Sequence, residues 1–134
     1  MKSDAQSIQE LQQATEGLLF MSESDYPFHI IEWDKQAEIT PEYLRSQTVA
    51  AKPDTPVTRQ SIDDFFRSAT SEPQWKKGRE LEIARKYKAL VRLLKESLGN
   101  PVVYRVGEIN ITVYIVGMSQ AGTWIGLKTQ VVET

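Results

Sequence analysis

The alternation of apolar and polar positions lays out an order of elements. Ile8, Leu11, Thr15 and Leu18 fall on one helical face, and Ser3 with Gln6 or Ser7 with Glu10 offers a capping box at the start of that helix. Gly17 stands where the helix should stop. The run Leu18-Leu19-Phe20-Met21, followed by Ser22-Glu23-Ser24-Asp25 and Tyr26-Pro27, reads as a buried approach to an exposed loop. Phe28 to Trp33 is rich in aromatic and β-branched residues and predicts a strand. Thr40-Pro41-Glu42 predicts a helix start, with Thr as cap and Pro in the first turn. Two prolines within Ala51–Pro56 predict a loop, and Ser61 before Asp63 and Asp64 predicts a short helix carrying Phe65 and Phe66 into the core.

The clearest helical pattern runs from Arg79 to Leu98, where Ile83, Tyr87, Leu90, Leu94 and Leu98 recur at spacings of three and four. Gly99 and Pro101 are expected to cap and break it. Beyond them the period becomes two. Val102–Val106 and Ile109–Val116 predict a hairpin turning at Gly107-Glu108, with Ile109, Ile111, Val113 and Ile115 on one face. Ser119–Gly122 turns the chain again, and Trp124–Val132 is a third strand. Helices followed by an antiparallel meander predict an α+β fold, with four strands if Phe28–Trp33 joins the sheet.

Composition narrows the chemistry. A chain of 134 residues, 40% of them apolar, is long enough for one domain with its own core. It has no Cys and a single His, His29, which excludes thiolate nucleophiles, Cys-type zinc sites and multi-histidine metal sites. Walker A, Gly-x-Gly-x-x-Gly and Gly-x-Ser-x-Gly patterns are absent. The pairs Asp63/Asp64 and Glu23/Asp25 read as a helix cap and a solvated loop before they read as acid–base chemistry. No apolar run approaches membrane-spanning length and no secretory pattern opens the chain, so a cytoplasmic location is expected.

The net charge of -2 hides a division: residues 1–64 hold five basic and twelve acidic residues, residues 65–134 eleven and six. Most of the basic excess lies between Lys76 and Lys95, where Lys76, Lys77, Arg79, Arg85, Lys86, Lys88, Arg92 and Lys95 face only Glu80 and Glu82. Such a stripe could bind nucleic acid. However, Lys76–Glu80 and Glu82–Lys86 also have the spacing of ordinary helix-surface pairs. Trp75 sits in a polar, Pro-containing break, either tucked against the core edge or presented outward as an interface anchor.

Gly17-Leu-Leu-Phe-Met-Ser-Glu-Ser-Asp-Tyr-Pro-Phe28 resembles the signature of the cyanobacterial nuclease A inhibitors, proteins that block a sugar-non-specific ββα-metal nuclease. The likeness continues through Phe65–Thr70 and Trp75, is dense over Asn100–Glu108, and runs through Val113–Gly117 and Ala121-Gly122 to Val131–Thr134. It is weakest between Asp34 and Arg59. The resemblance implies a three-layer α/β/α sandwich around a four-stranded, mainly antiparallel sheet. It also implies an intracellular inhibitor that is not an enzyme, and the free protein is expected to be a monomer.

Carried over position by position, the resemblance implies a nuclease-binding surface of Glu23, Ser24 and Asp25, of Gln74 and Trp75, and of Glu133 and Thr134. Glu23 would meet nuclease arginines in place of a phosphate. Thr134 would supply oxygen to the Mg²⁺ of the partner nuclease, the protein having no cofactor of its own. The family can place an acid just before the tryptophan; here the residue is Gln74, so that contact is missing or made by Glu72. The competing readings are a nucleic-acid-binding module built on residues 76–95 and a relative with a different protein partner.

Overall fold

In a computed structural model the chain is described over residues 3–21, 24–34, 39–49 and 51–133. Helix α1 spans Asp4–Thr15, and of the two possible capping boxes Ser3 supplies the cap, its hydroxyl accepting from the Gln6 N–H at 3.2 Å. The short strands β1 (Leu19–Met21) and β2 (Asp25–Pro27) pair with each other as a separate antiparallel ribbon. The expected approach to a loop is therefore a small sheet. Its apolar and polar residues do not alternate over enough positions to announce it.

Strand β3 (His29–Trp33) and helix α2 (Pro41–Ser46) follow as expected, the latter capped by the Thr40 hydroxyl. Strand β4 (Val57–Gln60) was not expected. Its exposed middle, Thr58 and Arg59, belongs to an edge strand with only one partner. Helices α3 (Ile62–Phe65) and α4 (Arg67–Thr70) come next, α3 capped by Ser61 and bringing Phe65 and Phe66 into the core.

Helix α5 (Arg79–Ser97) leads directly into β5 (Gly99–Val106). The expected glycine cap is corrected here. Leu98 ends the helix in an extended conformation, Gly99 already pairs with Met118, and Asn100 takes the positive φ of 47° beside a register shift. Strands β6 (Asn110–Met118) and β7 (Trp124–Val132) complete a five-stranded sheet in the order β3-β7-β6-β5-β4, antiparallel throughout. The expected count of four strands thus becomes five, plus the ribbon. Ile109 is also corrected, because it lies in the turn before β6 and is 54% exposed rather than sharing the buried face of Ile111, Val113 and Ile115.

Alternate residues of the long strands serve two clusters, as period-two geometry requires. Val103, Ile111, Val113, Ile115, Ile125 and Leu127 pack with Leu11 of α1, Phe65 of α3 and Leu90 and Leu94 of α5. Tyr114, Val116, Val106 and Trp33 pack with Leu44 and Tyr43 of α2. Each fully buried Leu or Ile contributes about 1.5–3 kcal/mol against the entropy of ordering. The larger cluster also decides where the ribbon sits, because Phe20 of β1 packs into it.

Candidate functional site

The ribbon is held by aromatic packing. Phe20 stacks on Phe65 with ring centroids 4.5 Å apart and meets Phe28, Phe66 and Tyr87 edge-on. The Tyr87 hydroxyl donates to the Leu19 carbonyl, tying β1 to α5. Burial, with the Asp25 carboxylate adding to it, pushes the Tyr87 phenol well above its ordinary 10.0. On its other side the ribbon leans on β7, where the Thr129 hydroxyl donates to the Pro27 carbonyl at 3.0 Å. Because β3 runs antiparallel to β7 with His29 opposite Lys128, the chain preceding His29 passes beside the residues that follow Lys128. Strand β2 thus lies against β7, with Ser24 and Asp25 exposed.

Trp75 is presented outward, at 67% exposure. The turn behind it is closed by the Lys76 N–H donating to the Pro73 carbonyl at 3.0 Å. The Lys76 ammonium donates to the Ser71 carbonyl at 2.8 Å and lies 5.8 Å from the centre of the indole. Trp75 borders a mainly apolar cleft of about 260 Å³ whose other walls include Leu19, Phe20, Ala69, Ile83 and Tyr87. The fold therefore brings the Trp75 loop and the ribbon to one cleft. Gln74 is exposed beside it.

Two acids considered for the binding surface, Glu72 and Glu133, are engaged within the protein. Glu72 accepts from Lys88 and lies 3.7 Å from Arg85; the Lys88 hydrogen bond is the main reason its carboxyl is held below its ordinary 4.5, against the opposing effect of desolvation. Glu133 is paired with Arg105 of β5. Glu23 and Thr134 lie outside the described residues. Leu19, Ile83 and Tyr87 of the cleft were not singled out as site residues. Tyr87 is visible in the sequence only as one member of an apolar helical stripe, which signals core and not cleft.

Among the described residues, four of the eight basic residues in the stripe lie within ion-pair distance of an acid. Lys88 and Arg85 face Glu72, Lys95 binds Asp63 at 2.7 Å, and Lys86 lies 3.9 Å from Glu82. Lys76 turns back to the Ser71 carbonyl instead of reaching Glu80. Asp63 and Asp64 are likewise occupied, by Lys95 and Arg67. His29 is exposed on an edge strand.

Among the described residues no group of three or more His, Cys, Asp or Glu is placed to hold a metal ion, and no helix is long and apolar enough to cross a membrane. A second, more polar cleft of about 200 Å³, between the segment after α2 and the strands, is lined by none of the expected site residues.

No curated protein matches the chain. The family model described as nuclease A inhibitor-like protein matches residues 5–134, nearly the full sequence, with both the ribbon and the Trp75 loop inside the match. The chain belongs to the nuclease A inhibitor-like family.

Proposed function

We propose that the protein is an inhibitor of a sugar-non-specific ββα-metal nuclease and acts by plugging its active site. The observation that carries this reading, beyond family membership, is the shared cleft of the ribbon and the outward-facing Trp75. An exposed indole beside an apolar cleft is the composition of an interface anchor. Ser24, Asp25 and Gln74 are exposed, and in this reading they supply the polar rim around that anchor. In sequence Glu23 lies between the two strands of the ribbon, β1 and β2. There its carboxylate takes the arginine contacts that a phosphodiester would otherwise receive. In sequence Thr134 stands two residues beyond Val132, the last residue of β7, and in this reading one of its oxygens completes the shell of the nuclease's Mg²⁺, a hard cation that selects oxygen.

Gln74 takes the place of an acid, and Glu72, already bound to Lys88, is a costly substitute for it. The arginine contact therefore falls on Glu23. The expected α/β/α layering, supported by helices contributing to both clusters, gives the site a rigid base. The chain works as one domain and one copy in the cytoplasm, with an interface of about 1,200–2,000 Å².

Inhibition constants against Mg²⁺-dependent nuclease activity test the assignment. Removing Thr134 and replacing Glu23→Gln should each weaken inhibition while leaving thermal unfolding unchanged. Unaltered inhibition by both variants would reject the plug as described.

A further inference from the structure

The proposed use of Thr134 raises the question of what fixes the chain just before it. Two contacts hold Glu133. Its N–H donates to the Ile109 carbonyl at 2.9 Å, one rung beyond the Asn110–Val132 pairing. Its carboxylate accepts from Arg105 Nη2 at both oxygens, with Oε2 at 2.9 Å. Arg105 stands on β5, separated from β7 by β6, so the pair bridges across the central strand at the sheet end where the chain leaves β7. The Arg105 side chain is 19% exposed and that of Glu133 49%, which makes the cation the anchored partner and the carboxylate the one being held. Among the described residues Glu133 is the only carboxylate within ion-pair distance of Arg105.

We infer that Arg105 is a positioning residue for the nuclease-binding end of the chain, holding Glu133 so that Thr134 is delivered to the partner's metal. The inference rests on the function proposed above. Glu133 is held through both its backbone N–H and its side chain, and a planar peptide leaves few soft dihedrals after a residue so fixed. An ion pair with one well-exposed partner adds little to global stability, so its effect is on geometry more than on folding. The Glu133 carboxylate is thereby an internal strut, already neutralised by Arg105, and not itself a ligand for nuclease arginines.

The test is a set of inhibition constants with thermal melts as the folding control. Arg105→Gln and Glu133→Gln should each raise the inhibition constant by roughly tenfold, the order of loss seen when a group orienting a metal ligand is removed. The exposed Glu133 variant carries the test if Arg105→Gln lowers the melting temperature. The exchanged pair Arg105→Glu with Glu133→Arg should recover inhibition relative to either reversal alone. In protein lacking Thr134, Arg105→Gln should produce no further loss, because the two changes act through one contact.

Wild-type inhibition by Glu133→Gln, failure of the exchanged pair to recover, or a full additional loss without Thr134 would each overturn the positioning role. Removal of Thr134 with no effect would instead defeat the proposed metal contact, and that result is read from its own variant.

Discussion

At the residue scale, Tyr87 does two jobs that its place in the helical pattern does not separate. Its ring belongs to the aromatic cluster and its hydroxyl holds the Leu19 carbonyl of the ribbon. Tyr87→Phe keeps the ring and deletes the bond, so chemical denaturation should report a loss of about 0.5–1.5 kcal/mol. Inhibition should weaken as well if the ribbon must be held for docking. The same group also predicts an alkaline limit. Both Tyr87 and Tyr114 have phenols raised above their ordinary 10.0, in each case chiefly by burial. The unfolded chain therefore releases these protons first as pH rises past about 10, and the stability that neutral phenols contribute below that pH is progressively lost above it. Denaturation from pH 9 to 11 should show the decline in the native protein and a shallower one in Tyr87→Phe. Parallel curves would contradict the buried-phenol account.

At the scale of elements, most of the fold is legible because period and caps agree. Ser3, Thr40 and Ser61 all act as caps, and the α5 pattern and the β6–β7 alternation are strong over many residues. What escapes is short. The ribbon and β4 have three or four residues each, too few for a period to declare itself, and the partners that make them strands are distant in sequence or follow a turn. Gly99 misled for a different reason, because a glycine after a helix signals a cap only when the chain does not continue directly into a strand.

Gly126 shows why one small residue is needed in the sheet. A Cβ built there would lie 1.7 Å from the Ile115 carbonyl oxygen, a backbone atom that cannot swing aside. Gly126→Ala should therefore disrupt the β6–β7 pairing and destabilise by more than about 3 kcal/mol, measurable as a fall in denaturation midpoint. A neutral substitution would contradict that close approach.

At the scale of the whole molecule, the candidate site was legible only in part. The Trp75 loop and the ribbon segment were both visible as sequence features, but their convergence on one cleft depends on Phe20 stacking against Phe65, a contact between residues 45 positions apart. The charge division looks different once folded. The acidic first half supplies Asp63 to Lys95, and Glu72 gathers Lys88 and Arg85, so much of the basic excess is balanced within the protein. That pairing offsets part of the stripe's charge within the protein, while Trp75 stays exposed beside the apolar cleft.

The central claim is tested most directly by titrating the protein into a ββα-metal nuclease that is hydrolysing DNA and, separately, RNA in Mg²⁺. The expected result is loss of both activities at a common endpoint of about one inhibitor per nuclease, independent of substrate concentration, as an interface of ordinary size and tight affinity requires. Undiminished hydrolysis at large excess, or protection that appears only when the protein is in excess over nucleic acid, would contradict it.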